Sequence, residues 1–274
     1  MGSVVMLNIE HQARITELIR EKRMVSVAEL MELFSVSDMT IRRDLDVLER
    51  KGIVRKVYGG AVLADLVLAD YVLGAPHEYS MVARETARVE AKRAIAKEAV
   101  SLIQPEDVIL LDAGSTTLQV AKAFQPSPDQ VVITNSIPIG LELMGKPVSL
   151  HLIGGDLRSA TQSTVGPKAK AFLTDLRARK VFLGASALSL ENGLMNFNLY
   201  EAEIKQEMIQ CSEQVILVAD SSKFAAQSYY TFAQWKDVDV FITDSEISLT
   251  VVRKLEERGV RVVIAGSSSL GRHA

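Results

Sequence analysis

The sequence has very few residues of the kinds that form covalent or metal crosslinks. It contains one cysteine, Cys211, so an intramolecular disulfide is excluded, and the helical stretch around Cys211 points to a buried, inert thiol. The four histidines, at positions 11, 77, 151 and 273, do not have the spacing of metal ligands. We therefore expect a fold that needs no disulfide, metal or cofactor.

Long apolar segments are also absent. No apolar run reaches the ~18 residues that a membrane-spanning helix needs, and the first residues, MGSVVMLNIEHQ, lack the basic-then-apolar pattern of a secretory signal. The 274 residues are 48% hydrophobic and 24% charged, which is typical of a small domain joined to a larger one with a substantial core. We expect a cytoplasmic protein that does not contact a membrane.

A large excess of charge of either sign is missing as well. The chain has 31 Lys and Arg residues and 34 Asp and Glu residues. Residues 1–62 contain ten of the basic and nine of the acidic residues, so the rest of the chain contains 21 basic and 25 acidic residues. The acidic remainder excludes a nucleic-acid surface of any size in that part. If residues 1–62 bind nucleic acid, their basic side chains must lie on one face.

Residues 26–61 carry the most informative pattern in the chain. Ile41, Leu45 and Leu48 recur at helical spacing and share one buried stripe. Ser37 precedes this helix as its expected N-cap, and a capping box, Ser26 with Glu29, begins the preceding helix. The two helices form a helix-turn-helix. The exposed face of the second helix carries Met39, Arg43, Asp46 and Arg50.

A basic hairpin is expected after the second helix. Gly52 ends that helix, and residues 53–58 alternate apolar and basic side chains before Gly59 and Gly60. Arg55 and Lys56 would then contact phosphates, whereas the alternative is a solvated charged face on a small helical domain. Turn, cap and wing together favour DNA binding. The expected DNA-binding residues are Ser37, Met39, Thr40, Arg42, Arg43, Arg50, Arg55, Lys56, Gly59 and Gly60.

One such unit makes few DNA contacts. Useful affinity and specificity need two or more copies on repeated half-sites, so we expect a homo-oligomer, dimer or tetramer, on double-stranded operator DNA. We place the winged helix-turn-helix domain at residues 1–62 and a linker at 63–80, where Gly74 and Pro76 lie. A second domain is expected over 81–266, beginning with one amphipathic helix over 81–103, and a disordered tail over 267–274.

The second domain alternates short aliphatic runs with helical stretches. Runs that are apolar on both faces and separated by helices predict a mostly parallel sheet covered on both sides, hence an α/β fold. In such sheets a ligand binds beyond the carboxyl ends of the strands. The runs are residues 108–112, 131–134, 148–153, 181–185, 215–219, 240–243 and 260–265.

Glycines and hydrogen-bonding side chains follow four of these runs. Each of these groups taken alone is an ordinary turn or helix cap. Taken together, and with a helix predicted to begin after residue 117, they predict a site for one anionic, hydroxylated ligand. Glu201 and Lys205 are expected at this site, but they could instead form an ion pair on a helix surface. Lys223 could likewise be a solvated loop lysine instead of a ligand contact. The expected effector-binding residues are Asp112, Gly114, Ser115, Thr116, Thr117, Thr134, Asn135, Gly154, Gly155, Arg158, Gly184, Ala185, Met195, Asn196, Glu201, Lys205, Asp220 and Lys223.

These motifs resemble those of the DeoR family of bacterial transcription repressors over roughly residues 10–266. The N-terminal signature is similar to VS-x-x-TIRRDL-x-x-L-x-x-x-G followed by GGA, here residues 36–45, Leu48, Gly52 and 59–61. The second domain resembles the family's effector domain. The matching segments are Arg84, Lys92, DAGSTT at 112–117, TNS at 134–136, IGG at 153–155, VGPKA at 165–169, FLGAS at 182–186, EAEIK at 201–205 and DSSKF at 220–224.

The resemblance implies a repressor of a carbohydrate operon. Its effector domain would share the ribose-5-phosphate isomerase fold and bind a phosphorylated sugar or a related metabolite. Two departures concern the ligand: Met195 and Asn196 stand where many relatives have Thr or Ser, and Arg88 stands where Asn is frequent. A thioether and a bidentate amide at the rim of the site argue against assigning any one sugar phosphate.

Three hypotheses follow. In the first, a regulator couples ligand and DNA binding through two states, with either sign of coupling. In the second, Asp112, Glu201, Asp220 and Lys223 serve as acid, base and electrophile of an aldose–ketose isomerase. The recognition helix argues against this enzyme, since an isomerase has no use for one. In the third, the protein is a DNA-binding scaffold whose effector domain is empty.

Overall fold

The computed structural model describes residues 11–19, 24–34, 36–50, 53–57, 60–63 and 81–266. The chain divides into two compact units, residues 1–79 and 80–274. The predicted linker from residue 64 onward and the predicted tail over 267–274 lie outside the described residues, so these boundaries remain predictions.

The first unit is a small helical domain with a three-stranded sheet. Residues 11–19 form α1, followed by β1 (Met24–Ser26), α2 (Val27–Phe34), α3 (Asp38–Arg50), β2 (Val54–Val57) and β3 (Gly60–Leu63). The strand order is β1-β3-β2, and both pairs are antiparallel. The predicted hairpin is therefore present as β2 and β3. Strand β1 was not predicted, because three residues are too few to show a strand period.

The helix-turn-helix forms where the sequence predicts it. Ser37 caps α3, since its Oγ accepts a hydrogen bond from the backbone N–H of Thr40 at 3.4 Å. Ile41, Leu45 and Leu48 are fully buried against α1 and α2 in one apolar core. Burial of this stripe fixes which face of α3 remains exposed.

The second unit begins with two helices, α4 (Met81–Thr86) and α5 (Val89–Ser101). The prediction of one helix over 81–103 is wrong, because Arg88 adopts a left-handed conformation with φ 50° and ψ 43°. The ammonium of Lys92 donates to the carbonyls of Arg84 and Ala87, which a continuous helix would use in its own backbone hydrogen bonds. This side-chain cap replaces the helical hydrogen bonds at the break.

The centre of the second unit is a parallel seven-stranded sheet, and its strands are the seven predicted aliphatic runs. In chain order they are β4 (Val108–Leu111), β5 (Val131–Thr134), β6 (Ser149–Leu152), β9 (Ala178–Leu183), β12 (Ser212–Val218), β14 (Val240–Thr243) and β15 (Arg261–Ile264). Their spatial order is β15-β14-β12-β9-β4-β5-β6. From β4 the sheet grows in one direction through β5 and β6, and the chain then returns to the other side of β4 to form β9. The strand order therefore reverses between β4 and β9, and an open α/β sheet forms its ligand crevice at such a point.

Helices cover both faces of this sheet. They are α5, α6 (Ser115–Ala123), α7 (Ile137–Leu143), α8 (Pro167–Thr174), α9 (Leu199–Gln210) and α10 (Leu249–Glu256). Ile109 and Leu111 of β4 belong to one apolar core, whereas Leu110 belongs to the other. Cys211 is buried, as expected, and Trp235 is buried as well. The confirmed class is therefore a helix-turn-helix domain with a wing and a mostly parallel α/β domain.

Short antiparallel strands that the sequence does not predict complete the second unit. β7 (Asp156–Arg158) pairs with β8 (Ser163–Val165), and β10 (Ala187–Ser189), β11 (Gly193–Asn196) and β13 (Tyr230–Ala233) form a separate sheet. Within the described part of the chain, no helix has the length and apolarity to cross a bilayer. No metal-binding group of His, Cys, Asp or Glu is found among those residues either.

Gly193 is required where β11 begins. Its φ is +77°, and an added Cβ would collide with the carbonyl oxygen of Ala233. Gly259 has a similar φ of +87° but open space around its Cα. Gly259→Ala is expected to cost about 1 kcal/mol, from backbone strain alone, and Gly193→Ala roughly 3 kcal/mol or more. Urea denaturation would measure both; equal costs would show that the close approach to Ala233 does not matter.

Candidate DNA-binding and effector-binding sites

The exposed face of α3 presents the side chains expected to contact DNA. Met39 is 80% exposed at the start of the helix, and Arg42 and Arg43 are also exposed. Arg42 forms an ion pair with Asp38 one turn earlier, whereas Arg43 pairs with no described carboxylate. Arg43 is therefore the more available of the two for a base edge.

Asp44, on the inner face of α3, is a residue that the sequence analysis missed. It is only 2% exposed. Its carboxylate accepts a hydrogen bond from Gln12 Nε2 at 3.2 Å and lies 3.4 Å from His11 Nδ1. The contacts tie α1 to α3 and so help to orient α3. The burial of Asp44 could have been predicted, because Asp44 lies three residues after Ile41 and so falls on the buried stripe.

The expected wing contacts are only partly described. Gly60 begins β3, but Gly59 and the side chains of Arg50, Arg55 and Lys56 lie outside the described residues. Their roles in binding phosphate remain predictions.

A buried ion pair occupies the point where the sheet changes direction. Asp112 follows β4, Gly184 follows β9, and the N–H of Gly184 donates to Asp112 Oδ2 at 3.0 Å. Lys205 of α9 donates to the same carboxylate and, at 3.0 Å, to the carbonyl of Gly184. Burial raises the pKa of Asp112, and the Lys205 ammonium and the Gly184 N–H oppose that shift. These groups join two strand ends to α9.

Glu201, one turn before Lys205, is held by several donors. It is 7% exposed and accepts hydrogen bonds from Asn196 Nδ2 at 2.7 Å, Arg158 Nε at 3.1 Å and the hydroxyl of Thr161. The alternative of a surface ion pair between Glu201 and Lys205 is thus wrong, because both side chains are buried and each pairs elsewhere. Thr161 was not expected here, because the short strands β7 and β8 on either side of it leave no periodic pattern in the sequence.

The amide of Asn196 is engaged on both sides within the protein. Its Oδ1 accepts a hydrogen bond from Ser186 Oγ at 2.8 Å, while its Nδ2 donates to Glu201. Asn196 is 3% exposed, whereas its neighbour Met195 is half-buried. Asn196 therefore positions Glu201 in this structure, and Ala185 and Met195 are the more open of the predicted residues nearby.

The N-terminus of α6 lies directly after β4. The helix begins at Ser115, three residues earlier than the predicted start at Leu118, with Gly114 as N-cap. The hydroxyls of Ser115 and Thr116 have no hydrogen-bond partner among the described residues. Thr117 instead donates to the carbonyls of Asp112 and Gly114. Ser115 and Thr116 thus add free hydroxyls to the unpaired N–H groups of the first turn.

The residues beyond β5 and β6 are mainly structural. Thr134 donates to the carbonyl of Leu111 at 2.6 Å. Asn135 donates to the carbonyl of Thr164 at 3.1 Å, and its Oδ1 is buried without a partner among the described residues. Gly154 is exposed, and a Cβ on Gly155 would meet the Val165 carbonyl at 2.5 Å. Of these, Asn135 is best placed to accept a hydrogen bond from a ligand.

Three cations lie close together at the carboxyl-end edge of the sheet: Arg84 of α4, Lys92 of α5 and Lys223, which follows β12. None of them forms an ion pair with a carboxylate in the described parts of the chain. Burial, together with the cations of Lys223 and Arg84, lowers the pKa of Lys92 to about 8, against the opposing effect of Asp220. Burial also lowers the pKa of Lys223. We call these three residues the basic cluster.

Asp220 offsets the charge of the basic cluster only in part, because it also pairs with Arg88. Arg88 Nε lies 3.2 Å from Asp220 Oδ1, and Arg88 Nη2 lies 3.4 Å from Asp244 and 2.9 Å from Glu246. Asp220 also accepts the backbone N–H of Ser222 at 3.2 Å and so shapes the turn that carries Lys223. Asp220 thus has a role in positioning the site.

Two family models match this chain. One, the DeoR-like helix-turn-helix domain, matches residues 11–66, and the other, the DeoR C terminal sensor domain, matches residues 87–245. The chain belongs to the DeoR family. This DeoR-family protein is a DNA-binding transcriptional regulator with a separate sensor domain.

Relatives match almost end to end. The HTH-type transcriptional regulator GlpR of Haloferax volcanii is 36% identical over 94% of this chain and 98% of its own length. A putative aga operon transcriptional repressor of Escherichia coli O157:H7 is 33% identical over 94% of each chain. A solved D-ribose-5-phosphate isomerase is 20% identical, covers 49% of this chain and 53% of its own, and superposes with a TM-score of 0.37. The fold of the second unit is defined by its strand order, β15-β14-β12-β9-β4-β5-β6.

Arg43→Ala and Lys56→Ala are expected to have different effects on DNA binding. If Arg43 reads a guanine, its loss costs roughly 1 to 3 kcal/mol on the operator and relaxes base preference. Loss of Lys56 weakens all sequences alike and reduces the salt slope by about 1. Fluorescence anisotropy on operator and random DNA measures both, with Arg14→Ala, an exposed arginine of α1, as control. Equal losses on both DNAs for both variants would contradict this division of roles.

Proposed function

We propose that this regulator represses a carbohydrate operon and that a phosphorylated sugar, or a related metabolite, bound in the second unit controls its DNA affinity. The observation that carries the proposal is the basic cluster. Three buried or half-buried cations that have no ion-pair partner among the described residues repel one another, and a phosphate dianion would relieve that repulsion. An anionic ligand is therefore the expected occupant.

The rest of the phosphate site would come from α6. This helix packs against both α4 and α5, and Ser115, at its N-terminus, follows β4 on the same sheet edge as Lys223. Free backbone N–H groups and hydroxyls at a helix N-terminus favour a bound anion. The phosphate would lie between the first turn of α6 and the basic cluster.

The other half of the crevice suits a polyol. Oxygen and nitrogen groups of Asn135, Arg158, Glu201 and Lys205 can exchange hydrogen bonds with sugar hydroxyls, and Met195 supplies an apolar contact.

The name of the Escherichia coli relative, a putative aga operon repressor, agrees with repression. Reading two operator half-sites would need a homo-oligomer.

The carboxylates favour sensing over catalysis. A general base must be free to take a proton from the substrate. Asp112 is instead bound by Lys205 and Gly184, and Glu201 by Arg158 and Asn196. We propose that the site binds its sugar phosphate without turnover, which an isomerase assay with the same compounds would test.

The direct test is DNA binding in the presence of a panel of compounds. Anisotropy with DNA from upstream of its own coding region would be titrated, at fixed salt, with ribose 5-phosphate, fructose 6-phosphate, glucose 6-phosphate, glycerol 3-phosphate and inorganic phosphate. One sugar phosphate is expected to shift specific binding and to spare random DNA. Ser115→Ala and Lys223→Ala should reduce this response, and Lys97→Ala, an exposed lysine of α5, should not. Specific DNA binding that no sugar phosphate changes would contradict the proposal.

Effector affinity is expected to depend on pH through Lys92. With a pKa of about 8, its ammonium attracts the phosphate dianion below pH 8 and is lost as the pH rises. Lys223, whose pKa is also lowered, acts in the same direction. Affinity should therefore fall about tenfold between pH 7 and pH 9, with proton uptake on binding. Phosphate itself, with a pKa of about 6, stays ionised over this range.

Calorimetry in buffers of different ionisation enthalpy would measure affinity and proton uptake together. Lys92→Gln should bind weakly and show a flatter profile between pH 7 and pH 9, whereas Lys97→Gln should behave as the unmodified protein. A constant affinity across this range in the unmodified protein would remove Lys92 from the phosphate site.

A further inference from the structure

We propose that β6, an edge strand of the parallel sheet, pairs with β6 of a second copy of this chain about a two-fold axis at His151, and that Leu141 and Met144 pack across the same interface. The inference goes beyond the proposed function, because it concerns how the regulator assembles and needs no ligand. We call Leu141, Met144 and β6 (Ser149–Leu152) the edge surface.

The outer side of β6 has unused backbone hydrogen-bonding groups. Among the described strands, β6 pairs only with β5. The N–H groups of Ser149 and Ile153 donate to carbonyls on the β5 side. Because successive residues of a strand direct their N–H and C=O groups to opposite sides, the groups of Leu150 and Leu152 point away from β5. They meet no backbone partner in the described parts of the chain.

The strand lacks the features that protect a free sheet edge. Proteins commonly blunt such an edge with lysine or proline, or with a bulge. The sequence of β6 is SLHL, three of its four residues are exposed, and its pairing with β5 is regular. At the opposite edge, β15 begins with the exposed Arg261 and its other residues are half-buried. Only the β6 edge of this sheet is therefore open to another strand in the described structure.

Exposed apolar side chains lie beside this edge. Leu141 and Met144, at the end of α7, are 63% and 69% exposed, and Leu152 of β6 is 48% exposed. A Cβ on Gly140 would lie 3.7 Å from Leu152 Cδ1, so Gly140 faces β6. Met144 lies four residues after Gly140, and Leu141 three residues before Met144, which places them beside Gly140 on the helix surface.

The other side of α7 faces α6, toward the middle of the sheet. Lys146, just after α7, donates to the carbonyls of Ala121 and Phe124 at the end of α6. Glu142 reaches this ammonium at 3.2 Å and so lies on the α6 side of its helix. Leu141 and Met144 therefore border the open edge, and the nearby charges of Glu142 and Lys146 are already paired.

Two copies of β6 fit one another in a single register. In an antiparallel pair, residues that exchange hydrogen bonds alternate with residues that do not. An axis at His151 places Leu150 opposite Leu152 of the second copy, so both outward-facing residues of each strand form hydrogen-bonded pairs. An axis at Leu150 or at Leu152 would pair one of these residues with a residue outside the strand.

The same axis brings the apolar side chains together. A two-fold axis between antiparallel strands of one sheet is perpendicular to the sheet, so both copies of α7 lie on the same face. Leu141 and Met144 of each copy then approach those of the other. An isologous interface of this kind covers both open edges at once and closes the assembly as a dimer. It also supplies the two DNA-binding units that two operator half-sites require.

A disulfide across the axis tests the register directly. His151 would face His151 of the second copy in a non-hydrogen-bonded pair, with a Cα–Cα distance of ~4.5 Å, and a disulfide spans roughly 4.4–6.8 Å. The variant His151→Cys is compared with Ser149→Cys, an exposed residue of the same strand and face. Two Ser149 positions would be four residues apart along the strands, about 13 Å. Both variants keep Cys211, which is buried.

Under mild oxidation at micromolar concentration, His151→Cys should become a covalent dimer on a non-reducing gel, and reductant should reverse this. Ser149→Cys and the unmodified protein should stay uncrosslinked. An uncrosslinked His151→Cys, or equal crosslinking of the two variants, would overturn the proposed register.

A second experiment tests the apolar part of the edge surface. Leu141→Lys puts a charge beside its own copy across the axis and should halve the mass measured by sedimentation equilibrium, from dimer to monomer or from tetramer to dimer. The matched control is Leu249→Lys, since Leu249 is a helix residue of α10 that is 65% exposed. Its mass should equal that of the unmodified protein. Circular dichroism would confirm that each variant is folded, and Met144→Lys replaces Leu141→Lys if that variant is not.

A monomeric unmodified protein, or an unchanged mass in the folded Leu141→Lys or Met144→Lys variant, would contradict the inference. Both experiments are made without effector or DNA. Failure of the edge surface would therefore leave the sugar phosphate proposal intact, and a sensor that responds to no sugar phosphate would leave the edge surface intact.

Discussion

The buried ion pair between Asp112 and Lys205 is the interaction on which the sensor unit depends. Removing one member would leave an uncompensated charge in the interior, a loss of roughly 3 to 5 kcal/mol in comparable cases. The pair persists because Gly184 supplies both a donor and an acceptor to it. Since Asp112 and Gly184 end adjacent strands and Lys205 lies on α9, these bonds fix the crevice walls. Glu201, one turn earlier on α9, is thereby aimed at the same crevice.

Charge is distributed unevenly across this crevice. On the side of Glu201, the cations and carboxylates pair with one another, which leaves a rigid, nearly neutral wall. On the side of Lys92, three cations share the space without an ion-pair partner in the described chain. Their mutual repulsion destabilises the empty site and is relieved by an anion, so it adds to ligand affinity. The rigid wall would select the polyol, and the unpaired wall would provide most of the attraction.

Much of the fold could be predicted because burial leaves a periodic trace in sequence. Seven runs that are apolar on both faces became seven parallel strands, and the stripe of Ile41, Leu45 and Leu48 became the core of the helix-turn-helix. Three-residue strands such as β7 and β10 leave no such trace. The burial of Glu201 and Lys205 was also unpredictable, because a helical i, i+4 pair has the same spacing on a surface as in a core. Their partners, Arg158 and Asp112, lie far away in sequence.

The left-handed residue Arg88, between α4 and α5, also affects the charge of the site. A left-handed conformation is costly for most side chains and easier for Asn. Arg88 accepts the conformation while its guanidinium binds Asp220, Asp244 and Glu246. Without this cation beside it, Asp220 would offset the charges of Lys92 and Lys223 more fully than it does. Because Arg88 competes for Asp220, the basic cluster keeps more of its positive charge and its attraction for an anion is stronger.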